Sequence, residues 1–242
     1  MAGFTAGPVR VYSGVMSERV LGAAYLGRVP YEEGLRLQEE RVARVKEGGE
    51  ERLFLLEHDP VLTLGRNADR KHITASPETL ARMGISVHEC GRGGDVTYHG
   101  PGQLVGYPIL NLAPDRKDVW RYVRNLEEAV LCTLAGYGIT AGRIPGLTGV
   151  WVGGEKVAAI GVRVSRWVTS HGFALNVDPD LGHFGTIVPC GIRDRGVTSM
   201  ARLMTTAPDL PEVAHRFAER FAEVFGRKLA WEGIPATEAA AP

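Results

Sequence analysis

The chain has 242 residues, with 28 Lys plus Arg balanced by 28 Asp plus Glu, so its net charge is zero. That balance argues against nucleic acid as the main partner, which demands a strongly basic face, and leaves room only for a local basic patch toward an acidic protein. The length suits one domain with a sizeable core. Three cysteines (Cys90, Cys132, Cys190) without a Cys-x-x-Cys pair fit reduced thiols in a reducing compartment. Residues 1–11 hold neither a basic segment nor an apolar h-region, and no run approaches the ~20 apolar residues of a membrane span. The expectation is a cytoplasmic protein with no membrane or nucleic-acid partner.

In chain order, residues 1–8 read as a small-residue tail. Residues 31–48 place Tyr31, Leu35, Gln38, Val42 and Val45 on one helical face, stopped by Gly48-Gly49. Two short apolar runs, 53–56 and 61–64, predict strands broken at Asp59-Pro60. Residues 103–112 predict a buried strand. Asp118 caps a predicted helix over 119–137, with Tyr122, Leu126, Ala129, Leu134 and Tyr137 on one face and Gly138 ending it. Runs 149–152, 156–164 and 167–177 predict an antiparallel meander whose first turn is Gly153-Gly154. The last helix, 211–225, carries a Val213, Phe217, Phe221, Val224 stripe and ends at Gly226. Residues 236–242 read as a second tail. With no repeat or linker in between, the simplest architecture is one α/β domain over 9–235: a mixed α+β arrangement with a central mixed sheet flanked by helices.

The densest information lies in residues 92–108, Arg-Gly-Gly-Asp-Val-Thr-Tyr-His-Gly-Pro-Gly-Gln-Leu-Val-Gly-Tyr-Pro. Local turn chemistry alone allows a β-hairpin. The polar residues are interleaved with the glycines, however, and the segment runs into an apolar strand. That pattern predicts a cradle of backbone donors in which glycine lets the chain press against a bound group.

Cys190 stands between Pro189 and Gly191, where a helix interior is disfavoured, so a loop or helix entrance is expected with free N–H groups that favour a thiolate. Read alone, a single cysteine is more often a packed core residue. Cys132 falls inside the 119–137 helix and should simply pack. His88 and Cys90 form too weak a pair to predict a metal. Lys156 reads either as a solvated turn lysine or as a lysine beside the small residues Ala158, Ala159 and Gly161, which leave room for another chain. His58, His99 and His171 each flank a turn. Among them His99 is the best functional candidate, to hold an oxyanion or orient substrate, while Asp95 reads as a loop cap.

The 92–108 run resembles the signature of the lipoyl(octanoyl) transferases. So do Thr148-Gly-Val-Trp151, Gly154-Glu-Lys-Val-Ala-Ala-Ile-Gly161, Ser170-His-Gly-Phe-Ala-Leu-Asn176, Val188-Pro-Cys-Gly-Ile192 and Gly196-Val-Thr-Ser199. The resemblance implies the fold of the lipoate and biotin protein ligases. It implies octanoyl transfer from acyl carrier protein to a lysine of lipoyl-domain acceptor proteins, as an acyl thioester on Cys190 assisted by Lys156. It maps the acyl pocket onto Arg92, Gly93, Gly94, Asp95, Val96, Thr97, Tyr98 and His99, onto Ala159, Ile160 and Gly161, and onto Gly172, Phe173 and Ala174. Thioester-to-amide exchange runs downhill, so no cofactor, nucleotide or metal is expected. Carrier recognition is expected at Arg163, Arg166, Arg193 and Arg195. The rival readings are an ATP-dependent lipoate-protein ligase and an inactive acyl- or protein-binding module. The first favours a His-Asp-x-Gly-Asn ending where this chain has His99-Gly-Pro-Gly-Gln103, and the second would dispense with the Cys/Lys pair.

Overall fold

The computed structural model describes residues 19–114, 117–188 and 195–232. Both expected tails and the Pro189-Cys190-Gly191 segment therefore lie outside the described residues. Among the described residues, two sheets form. The larger has eight strands: β1 (Val20–Arg28), β2 (Glu51–Glu57), β6 (Gln103–Ile109), β7 (Gly142–Ile144), β8 (Leu147–Val152), β9 (Glu155–Ser165), β10 (Val168–Asn176) and β11 (Lys228–Glu232). Their order is β11-β1-β2-β6-β10-β9-β8-β7. β1 runs parallel to β2 and β11, and the other pairings are antiparallel. The smaller sheet orders β4 (Ser86–Glu89), β3 (Val61–Leu64) and β5 (Val96–His99) as β4-β3-β5.

Helices cover both faces of the large sheet. α1 (Tyr31–Lys46) packs on β10 and β6, where Val45 joins Phe54, Leu56, Val105, Tyr107 and Ala174. A short α2 (Pro77–Arg82) buries Leu80 beneath the small sheet. On the opposite face lie α3 (Val119–Gly136) and α5 (Leu210–Phe225). Leu126, Val130, Leu134, Phe217 and Phe221 close the main core there, with the Phe217 ring 4.1 Å from that of Phe173 and tilted 35° to it. A single turn, α4 (Met200–Leu203), precedes α5. The start of α3 and the stop of α5 follow the signals read from the sequence. Asp118 accepts from the Arg121 amide at 2.9 Å, and Gly226 takes the left-handed conformation (φ 61°) that only glycine adopts without penalty. The meander β8-β9-β10 forms as expected. Several elements went unread, among them β1, diluted by Gly22, Ala23 and Ala24; the short α2 and α4; the short exposed β4; the three-residue β7; and β11 at the far edge.

The 92–108 run is not a hairpin. β5 pairs with β3 in the small sheet, while β6 pairs with β2 and β10 in the large one. The glycines make the crossing possible. At Gly102 (φ 81°) a Cβ would stand 2.1 Å from the Asp178 carbonyl oxygen, and that glycine's N–H donates to Glu57 at 2.6 Å. Likewise, the 53–56 and 61–64 runs fall in different sheets. The two-sheet arrangement creates a seam, and the site lies in it.

Candidate active site

A cavity of about 610 Å³ opens along this seam. Its walls include Arg92, Gly93, Gly94, Asp95, Val96, Thr97 and His99 from the glycine run, Lys156 and Ala159 to Val162 from β9, and His171 to Ala174 from β10. The structure thus gathers thirteen of the fourteen expected pocket residues, with Lys156, around one space. Tyr98 is the exception. Its side chain turns to the other side of β5, where its hydroxyl meets His183 Nδ1 at 2.7 Å and its ring packs on Phe184. Strand alternation is the reason: neighbours on a strand face opposite ways. Cys190 lies outside the described residues.

The glycine run is built to press onto β9. The Gly93 amide donates to the Val162 carbonyl at 2.8 Å. A Cβ on Gly161 would come within 3.0 Å of the Gly93 carbonyl oxygen and 3.1 Å of Arg92. Arg92 is buried and holds β3, its Nη2 donating to the Thr63 hydroxyl at 2.9 Å and to the Thr63 carbonyl at 2.5 Å. The Asp95 carboxylate accepts from the Asp69 amide at 3.2 Å and faces His72 Nδ1 at 2.5 Å, the capping work its sequence context suggested.

Lys156 is buried, with its Nζ 4.7 Å from the centroid of the Trp151 ring, a cation–π geometry. It is therefore not a solvated turn lysine. Its backbone is clamped by the 196–198 segment: its amide donates to the Gly196 carbonyl at 2.9 Å, and its carbonyl accepts from the Thr198 amide at 3.0 Å. Gly149 (φ 122°) lies beside the Lys156 stem, and a Cβ there would stand 2.7 Å from the Ala158 carbonyl oxygen.

Three histidines, His58, His99 and His171, gather around Tyr107 and one another, and His99 and His171 line the cavity. His58 Nδ1 donates to the Val29 carbonyl at 2.7 Å, so its Nε2 accepts from the Tyr107 hydroxyl at 2.6 Å. His99 Nδ1 faces the Gln103 side-chain oxygen at 2.7 Å and therefore carries the proton, leaving Nε2 as an acceptor 3.4 Å from the Thr63 hydroxyl. Burial, reinforced by His58 and offset in part by the Gln103 bond, pushes the His99 pKa down to about 3. A neutral imidazole whose free nitrogen is an acceptor cannot donate to an oxyanion, so the first of the two roles the sequence allowed does not fit this arrangement. His171 adopts φ 55°, a conformation unfavourable for a residue with a Cβ, and burial pushes its pKa down to about 4.

The expected carrier patch does not form one surface. The Arg163 guanidinium lies against Gly91 and Arg166 sits in the β9-β10 turn, whereas Arg195 lies beside Gly154 and Trp151 at the opposite end of β9. Eleven residues of strand separate the two ends, roughly 33 Å at ~3.3 Å per residue. Arg193 lies outside the described residues. Sequence reasoning also passed over Tyr31, Thr63, Gln103, Tyr107 and Asn176, all buried in or around the site. The available signal was a lone polar residue inside an otherwise apolar strand, as in Val61-Leu-Thr-Leu64.

Residues 30–222 match the family model of the lipoyl protein ligase A/B catalytic domain. The octanoyltransferase of Solibacter usitatus is 56% identical over 201 residues, covering 83% of this chain and 90% of that protein. The octanoyltransferase of Acidobacterium capsulatum is 50% identical over 232 residues, covering 89% and 94%. In fold, a lipoate-protein ligase A bound with ATP superposes with a TM-score of 0.71 at 19% identity, covering 88% of this chain and 89% of that one. A biotin protein ligase from Aquifex aeolicus in complex with biotin and ATP gives 0.53 at 16%, covering 86% and 71%. The expected fold class, a mixed α/β domain of lipoate- and biotin-ligase type, is the one observed. The chain belongs to the lipoyl protein ligase A/B catalytic domain family and, within it, to the octanoyltransferases. Its activity is acyl transfer, the movement of octanoyl groups in protein lipoylation.

Proposed function

We propose that transfer proceeds through an octanoyl thioester on Cys190, from octanoyl-acyl carrier protein to a lysine of a lipoyl domain, with Lys156 moving the protons. The observation that carries this reading is the burial of Lys156 at one end of a cavity whose long wall is made of Ala159, Gly161, Gly172 and Ala174. These small residues leave a trough for an aliphatic chain, and each buried methylene contributes on the order of 0.8 kcal/mol before the costs of binding. With the Cys190 thiol proton held on Lys156, the Cys190 thiolate attacks the thioester carbonyl, the bond to the carrier sulfur breaks, and the carrier thiolate leaves, taking that proton from the Lys156 ammonium. The acceptor amine then attacks the acyl-enzyme, Lys156 takes its proton, and the Cys190 thiolate departs. Lys156 and Cys190 titrate as a unit in this scheme. The pocket role assigned to Arg92–His99, Ala159–Gly161 and Gly172–Ala174 belongs to the same reading, with Tyr98 supporting β5 from behind.

The energy of the donor thioester drives the reaction, so the proposal includes no cofactor, nucleotide or metal. No helix among the described residues is long and apolar enough to cross a membrane. A cytoplasmic setting, with acyl carrier protein as donor and lipoyl domains as acceptors, completes the proposal. Among solved structures of this fold, one describes a bipartite lipoate protein ligase and its E2 lipoyl domain from Thermoplasma acidophilum. Intact-mass measurement after incubation with octanoyl carrier protein tests the scheme. A hydroxylamine-sensitive adduct of about +126 Da is expected on the wild type and none on Cys190→Ser, while Cys90→Ser and Cys132→Ser keep it. Normal turnover in Cys190→Ser would refute the covalent route.

A further inference from the structure

Gln103 and Asn176 lie side by side in the cavity wall, both buried, on the adjacent strands β6 and β10. Their amide orientations are settled by two backbone carbonyls, which can only accept. Gln103 Nε2 donates to the Tyr98 carbonyl at 3.3 Å and to Asn176 Oδ1 at 2.8 Å, and Asn176 Nδ2 donates to the Thr198 carbonyl at 2.9 Å. Gln103 Oε1 is then left to accept from His99 Nδ1. Beyond His99 the chain continues through the Thr63 hydroxyl to the Arg92 guanidinium. At its other end, Thr198 donates its amide to the carbonyl of Lys156. One directional series of hydrogen bonds thus runs from Arg92 in the glycine cradle to the backbone of Lys156.

We propose that Gln103 and Asn176 are positioning residues for the transfer reaction, locking the 196–198 segment that clamps Lys156 to the His99 end of the cradle in one register. The proposal rests on the reading of Lys156 as the proton-moving group. Stability alone does not account for the arrangement. A buried amide pair gives little net stabilisation, and apolar replacements of the same shape are often neutral. What the pair supplies is direction. The series joins the small sheet to the large one across the seam, and with the Asn176 bond removed the Thr198 carbonyl, and through it the Lys156 backbone, is no longer referred to the cradle.

The test uses the full-length protein with an octanoyl carrier protein donor and a lipoyl-domain acceptor. Asn176→Ser is small enough to fold and too short to reach Thr198. Its expected effect is a kcat lower by about tenfold or more with KM for the donor within about threefold, together with faster hydrogen exchange at the Thr198 amide. In Gln103→Glu a carboxylate faces His99 Nδ1 and favours the imidazolium, so the kcat–pH profile gains an ionisation between about pH 5 and 8. Faster Thr198 exchange in Asn176→Ser with kcat within about twofold of wild type would overturn the proposal, because the tether would then be structural only. A Gln103→Glu profile superimposable on the wild type would overturn the coupling to His99. Lys156→Ala, assayed in parallel, separates the two levels. If it is inactive while Asn176→Ser is normal, the tether alone fails; if it is active, the Lys156 reading itself fails.

Discussion

At Lys156 the structure replaces a choice with a constraint. The amine lies over the Trp151 ring and lines the cavity, and in the proposed scheme its work is either proton transfer or charge stabilisation of a thiolate. Arginine keeps the charge but does not deprotonate at accessible pH. Lys156→Arg is therefore expected to be nearly as damaging as Lys156→Ala in both half-reactions, read as adduct formation and as acyl transfer across about pH 6 to 9. Near-wild-type rates in the arginine variant would leave only the electrostatic role. The buried histidines make a second residue-scale prediction. His99 at about 3 and His171 at about 4 both lie below their ordinary 6.5, chiefly through burial. The unfolded chain then binds protons that the folded one refuses between about pH 4 and 6.5, so stability is complete above that window and falls as pH drops through it. At pH 5 each histidine accounts for about 2 kcal/mol of this loss. His171→Asn, which tolerates the left-handed backbone, is expected to reduce the loss between pH 7.5 and 5 by about that amount in chemical denaturation. An unchanged pH dependence in the variant would contradict the assignment.

At the scale of elements, β6 and β10 approach as closely as their glycines permit. A Cβ on Gly172 would stand 2.2 Å from the Gly106 carbonyl oxygen and 2.6 Å from Pro108, and one on Gly106 would meet the Phe173 ring at 2.0 Å. Gly172→Ala must therefore push the two strands apart, with an expected loss of about 2 kcal/mol or more in unfolding free energy and a collapse of transfer activity. Gly136 ends α3 with open space around it. Gly136→Ala is the matched control, expected to stabilise by about 0.5–1 kcal/mol without touching activity. Equal effects from the two substitutions in thermal and chemical denaturation would show that glycine packing does not set the seam.

For the molecule as a whole, the sheet and its helices are shared with ligases that were crystallised with ATP, so fold does not separate transferase from ligase. The identity to octanoyltransferases does. The wild-type protein is expected to acylate a lipoyl domain from octanoyl carrier protein alone, and to give no product from free octanoate with ATP and Mg²⁺. Gel-shift or mass analysis of the lipoyl domain reads both arms, and robust ATP-dependent product from the free acid would contradict the thioester-driven scheme.

The sequence by itself determined the long helices, their caps and the meander, and it singled out the candidate site residues. Caps such as Asp118 and Gly226, the helical stripe of α5 and the turn at Gly153-Gly154 act within a few residues, where spacing and backbone preference suffice. The family signature named the glycine run, Lys156 and the small-residue strands because those residue types recur together in order along the chain. Only tertiary structure decided that residues 96–99 and 103–109, three residues apart, enter different sheets. Strand pairing is chosen by partners more than thirty residues away, such as Thr63 and Phe173, and not by the intervening turn. Tertiary structure also turned Tyr98 out of the cavity, put Arg166 and Arg195 at opposite ends of one strand, and joined Gln103 to Asn176 and Thr198. Burial and distance between residues remote in sequence set those outcomes, and neither is written in the spacing of the chain.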